Sequence, residues 1–118
     1  MKIQVELWGN EDNLEDCGTA GVSAIVSFEG CRSEALEDGY AENLFRHIEA
    51  LEAPEGWEQL TVETDGYEIR IHLTPWPEDE EEVSEEMSDR GLEKLKSILR
   101  IWKHKGCPSN TAIHFEHV

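Results

Sequence analysis

The residues whose type and spacing could do chemistry here are carboxylates. Between positions 77 and 89, eight of thirteen side chains are acidic: Glu78, Asp79, Glu80, Glu81, Glu82, Glu85, Glu86 and Asp89. A second series, Glu34, Asp38, Glu42 and Glu49, lies on the outward side of a predicted helix. Steps of four residues rise about 6 Å along a helix, close to the distance between successive phosphates of an extended nucleic-acid strand. Such a stripe offers a basic protein carboxylates where its Lys and Arg expect phosphates, and the pairing is by charge-assisted hydrogen bonds.

The charge of the whole chain points the same way. Its 118 residues carry 27 acidic and 10 basic side chains, a net charge of −17, with a pI near 4.5. Direct binding to nucleic acid or to an anionic membrane is disfavoured, because the phosphate term would be repulsive. A basic partner is favoured.

Most of the positive charge sits in one segment, Arg90, Lys94, Lys96, Arg100, Lys103 and Lys105, against the single acid Glu93. Acids first and cations last is the order that a helix macrodipole prefers. The basic block is therefore expected to be the later part of a helix and not a nucleic-acid surface. Trp102, in register with Leu95, Ile98 and Leu99, is expected in the core.

Other chemistries find little support. His114 and His117 are three apart on a predicted strand, so they point to opposite faces and cannot chelate together. His104 stands between Lys103 and Lys105, a poor setting for a cation. The stretch from Asn10 to Asp16 is oxygen-rich but lacks the glycine and alternating acids of an EF-hand loop. Cys17, Cys31 and Cys107 have no metal-type spacing and are read as reduced thiols. No Ser lies in a Gly-x-Ser-x-Gly setting, and no glycine-rich phosphate loop occurs. No metal, cofactor or catalytic residue is expected, and the chain is read as a non-enzyme.

These side chains need elements to position them. Residues 2–8 alternate, with Ile3, Val5 and Leu7 on one side, as in a half-buried strand. Residues 9–21 read as a long polar loop. A second strand carries Val22, Ala24, Val26 and Phe28 inward. Ser33 stands as an N-cap for a helix running to about Ala53, its stripe made by Leu36, Tyr40, Leu44, Ile48 and Leu51. Pro54 ends it.

Asp65-Gly66 predicts a two-residue hairpin turn. That turn sets Thr64 opposite Tyr67, Glu63 opposite Glu68 and Val62 opposite Ile69. A second helix follows the acidic run, with Ser84 preferred as its N-cap over Asp79 and Ser88. Gly91 weakens its first turns, and Gly106 is its stop. Ala112 to His117 form a last strand.

The order ββαββαβ indicates an α+β fold in a single domain, residues 1–118. Without the first strand it is the split-βαβ pattern of ferredoxin-like folds. The expected sheet is mostly antiparallel, with both helices on one face and the extra strand at an edge or beside the second strand. With no apolar run near the ~18 residues of a membrane span and no leader-like start, the chain is expected in the cytoplasm.

The functional expectation is a non-enzymatic acidic binding protein that blocks a basic, nucleic-acid-binding surface of another protein. Inhibitors of restriction enzymes and CRISPR complexes, and immunity proteins against nucleases, use this strategy; the likeness is one of strategy, with no motif behind it. The expected contacts are Glu34, Asp38, Glu42, Glu78, Asp79, Glu81, Glu82, Glu85, Glu86 and Asp89. The alternative is a small α+β interaction module with apolar contacts through Trp8, Trp57 and Trp76, its acidity serving only solubility.

Overall fold

Alternating apolar residues on five strands give the sheet one buried face. A computed structural model describes residues 2–29, 39–64 and 68–118, apart from the side chains of Glu29, Asp79, Glu80 and Glu81. The strands are β1 (Lys2–Trp8), β2 (Val22–Glu29), β3 (Gln59–Thr64), β4 (Glu68–Thr74) and β5 (Ala112–His117). The helices are α1 (Asn10–Cys17), α2 (Tyr40–Glu49) and α3 (Glu85–Gly106), with a 3₁₀ turn over Pro77–Glu82.

The sheet order is β3-β4-β2-β1-β5. All neighbours are antiparallel except β1 and β5, which run parallel. The fold is α+β, with the helices on one side of a mixed five-stranded sheet. The strand order fits a ferredoxin-like split βαβ whose extra strand, β1, is inserted between β2 and β5. Being paired with β2, it takes the second of its two expected places, and it is not at an edge.

Ile3, Val5, Leu7, Val22, Ala24, Val26, Ile69, Ile71 and Leu73 are all essentially inaccessible on one face. Leu44 and Ile48 of α2 and Leu92, Leu95, Leu99 and Trp102 of α3 cover them. The Trp102 ring meets Phe28 edge-on at 6.4 Å, a favourable geometry for two aromatic quadrupoles. Its indole N–H donates to Asn43 Oδ1 at 2.9 Å, which ties α3 to α2.

α3 starts where the sequence places it. The Ser84 hydroxyl accepts from the Met87 N–H at 3.1 Å, satisfying one of the amides that a helix start leaves open. Gly91, whatever it costs the helix locally, lets the helix approach the sheet. A Cβ there would lie 2.5 Å from Trp57 Cζ2 and 2.7 Å from Val22 Cγ2.

Three expectations are corrected. Residues 10–17, read as loop, form helix α1. The helix read from Ser33 to Ala53 is described only over Tyr40–Glu49, with Gly39 as its N-cap at φ 75°. Ser33 and Leu36 lie outside the described residues, and the last turn closes at Ala50 (N–H to Arg46 O, 3.1 Å) before Pro54 is reached. The register of β3 with β4 is shifted by two residues, with Thr64 opposite Ile69 and Glu63 opposite Arg70. A two-residue slip keeps every side chain on its face, so burial could not tell the two registers apart. The observed one replaces a Glu–Glu pair by Glu–Arg, which cross-strand energetics favour.

Candidate protein-binding surface

The acidic run is built into one end of the molecule. β1 and β4 finish at that end, and β2 begins there, with Val22 opposite Leu73 and Trp8 opposite Ser23. α1 and the 3₁₀ turn follow directly from β1 and β4. The start of α3 is fastened beside them: the Asn10 N–H donates to Ser88 Oγ at 3.0 Å, both residues buried. A cleft of about 230 Å³ between the two helix starts is lined by Glu11, Asp12 and Glu85 together with Ser84 and Ser88.

Glu78, Glu82, Glu85, Glu86 and Asp89 are all exposed at this end, as are Glu11, Glu15 and Asp16 of α1. The backbone of Asp79 and Glu81 belongs to the 3₁₀ turn. Their side chains lie outside the description. Acids in the first turns of α1 and α3 are held by the positive ends of those helices, which lowers the cost of crowding them. Arg90 pairs with Glu86 one turn away; being exposed, the pair contributes little stability.

Glu42 is elsewhere. Its neighbour Asn43 bonds Trp102, near the far end of α3. Ser88 and Trp102 are fourteen residues apart, about 21 Å along a helix. Glu42 is therefore not brought together with the run at 78–89. Glu42 is also engaged by Arg46 at 2.7 Å. Glu34 and Asp38 lie outside the described residues.

Three cations of α3, Arg90, Lys96 and Arg100, are engaged locally. Lys96 is mostly covered and bonds Glu93 at 3.1 Å, and the Arg100 guanidinium sits 5.1 Å from the centre of the Phe115 ring. Lys103, His104 and Lys105 fill the last turn, where the dipole is negative. The molecule thus separates charge along the length of α3, acidic at its start and basic at its finish.

One polar constellation was missed from sequence. Asn13 Nδ2 donates to the carbonyls of Trp8 (3.3 Å) and Gly21 (2.9 Å), and Asn10 Oδ1 accepts from the Gly21 N–H at 2.8 Å. His72 Nε2 lies 3.1 Å from the Ala20 carbonyl. A carbonyl can only accept, so this nitrogen carries the proton and Nδ1 accepts from the Ser23 hydroxyl at 2.6 Å. Burial lowers the His72 pKa from its ordinary 6.5; the Ala20 bond opposes this, Arg70 adds to it and Glu63 opposes it.

A hydrogen-bonded Ser–His pair has the form of an activated nucleophile. Ser23, however, is only 2% exposed, and the Asn13 side-chain amide beside it donates to backbone carbonyls. The network's evident work is to seat α1 on the sheet. No sequence signal short of the spacing of two Asn in an acidic segment pointed to it.

Of the tryptophans named for an apolar contact, Trp57 is buried in the core and Trp8 is half-buried. Trp76 is 44% exposed and directly precedes the acidic turn. No described helix is long and apolar enough to cross a membrane.

No protein-family model matches the chain, and no curated protein matches it. The crystal structure of SMU.848 from Streptococcus mutans is similar over the whole length of both chains, at 12% identity and a TM-score of 0.36, a likeness too distant to carry an argument.

Proposed function

We propose that this is a non-enzymatic acidic binding protein that occupies a basic, nucleic-acid-binding surface of a partner protein. The observation that carries the reading is the acidic end, where the Asn10–Ser88 bond fastens α1 to the start of α3 and sets Glu11 and Asp12 beside Glu85, with Glu15, Asp16, Glu82, Glu86 and Asp89 exposed on these helices and the 3₁₀ turn. These carboxylates stand on fixed elements and lie far from the cations at the other end of α3. They meet a partner's Lys and Arg already oriented, and the field of a −17 chain speeds the encounter. Glu78 extends this surface, and Asp79 and Glu81 follow it in the sequence.

Two charge reversals test it. Glu15→Lys with Asp16→Lys changes the last turn of α1, where lysine suits the dipole. Glu82→Lys with Glu85→Lys and Glu86→Lys changes the other half. Immobilised protein, exposed to a cell lysate and eluted with a salt gradient, should release a basic protein at moderate salt, and single-stranded DNA or RNA should compete it off. Both variants should lose it. A retained protein indifferent to both reversals and to nucleic acid would sink the reading.

A second reading rests on Trp76. An exposed indole beside a turn is the kind of anchor on which interfaces concentrate their energy. Partner binding that survives molar salt and is lost in Trp76→Ala would make apolar contact the main term, with acidity serving solubility.

A further inference from the structure

β5 is an edge strand with an open side. Among the described residues it pairs only with β1, and Ala112, His114, Glu116 and His117 are exposed. The direction of its backbone groups follows from one bond. The Val118 N–H donates to the Leu7 carbonyl at 3.1 Å. In a parallel ladder alternate residues face the same neighbour. Residues 112, 114, 116 and 118 therefore address β1, and Ile113, Phe115 and His117 turn their N–H and C=O groups outward.

We infer that this edge pairs antiparallel with the same edge of a second copy of the chain, about a two-fold axis at Phe115. Three features select that partner and that register. Only odd residues offer outward groups, so Phe115 faces Phe115 of the other copy and Ile113 faces its His117, each as a hydrogen-bonded pair. This register takes in all of residues 112–118, the strand and the Val118 held to Leu7 beyond its end.

The second feature is charge on the open face. Centring on Phe115 sets His114 opposite Glu116 of the other copy, twice, in the close non-hydrogen-bonded positions. Glu116 already has Glu6 beside it on β1, so the imidazole arrives next to two carboxylates. Shifting the register by one step either way puts His114 opposite His114, or Glu116 opposite Glu116.

The third feature is the charge separation along α3. Antiparallel pairing lays the acidic end of one copy beside the end of the other that holds Lys103, His104 and Lys105. This offsets part of the repulsion between two strongly negative chains. An isologous contact of this kind closes on itself and forms a dimer, not a filament. The acidic ends stay uncovered and point in opposite directions, so the pairing does not depend on the function proposed above.

Sedimentation equilibrium of the full chain from micromolar to millimolar concentration tests the dimer. His114→Glu should weaken self-association about tenfold, about 1.4 kcal/mol shared by the two altered cross-strand pairs. His114→Glu with Glu116→Lys should restore it, because the pairs become Glu–Lys. Both positions are exposed, so the monomer fold is kept. In the same range, the amides of Ile113, Phe115 and His117 should gain protection from hydrogen exchange. A monomer throughout the range overturns the inference. So does a dimer that ignores both variants, or one that protects the β3 edge instead.

Discussion

Replacing Gly91 by Ala separates local helix preference from packing, because the two predict opposite signs. In a helix interior Ala is better than Gly by about 1 kcal/mol. Against this stands the approach of α3 to the sheet. An added Cβ would lie 2.5 Å from Trp57 Cζ2 and 2.7 Å from Val22 Cγ2, where carbon atoms prefer about 3.5–4.0 Å. Both neighbours are buried, so neither can swing into water, and the strain belongs in the upper part of the ~1–3 kcal/mol range for overpacking.

The expected net loss is about 2 kcal/mol once the helix preference is subtracted. For a domain near this size that lowers the melting temperature by roughly 8–12 °C. Thermal unfolding followed by circular dichroism gives the value, and tryptophan fluorescence reports the surroundings of Trp57 directly. Gly106→Ala is the milder case: its Cβ would lie 3.2 Å from Asn43 Oδ1, which has to give by only a few tenths of an ångström, so its cost should be well below that of Gly91→Ala. A Gly91→Ala protein that melts higher than the parent would refute the reasoning, since helix preference would then outweigh the packing strain.

Ser88→Ala removes the acceptor of the buried Asn10 N–H and should cost about 1–2 kcal/mol; native-state hydrogen exchange should show that amide opening faster. The His72 network predicts a pH dependence. Its pKa is lowered in the fold, so the contribution is complete above the unfolded value of 6.5 and is lost as pH falls below it. Charging the ring also makes Nδ1 a donor, forcing the Ser23 hydroxyl to turn toward Asn13 Oδ1, 3.4 Å away. The stability difference between the parent and His72→Gln, from urea titrations at neutral and mildly acid pH, should shrink toward acid. A constant difference would mean that the imidazole is not the group at work. Asn13→Ala should loosen α1 while leaving the strands intact, seen as early cleavage by a protease within residues 10–19.

What was legible in the sequence followed apolar periodicity. β1, β2, β5 and α3 present unbroken stripes, and the Ser84 cap and the inward Trp102 came with them. α1 was illegible because its buried residues are Asn10 and Asn13 while its one large apolar residue, Leu14, is exposed. Amide hydrogen bonds, not an apolar face, hold it in place, and they leave no period to read. The hairpin register escaped for a different reason: two registers related by two residues bury the same set. Only the Glu63–Arg70 pairing separated them. The acidic end was read as a run of neighbouring residues, but its partners on α1 are about seventy positions away, joined to it by the Asn10–Ser88 bond. Glu42 looked equivalent from its spacing, yet it belongs to the other end of α3.

The place of β1 has a consequence for how the chain comes to be folded. β1 lies inside the sheet, and one of its two neighbours, β5, comes about a hundred residues later in the chain, with Lys2 opposite Ala112. Contacts so distant in sequence form late. A nascent chain still held at the ribosome therefore carries β1 with one side unpaired until residues 112–117 emerge. Loss of these six residues would leave that side open for good, and with it an apolar strand free to template aggregation.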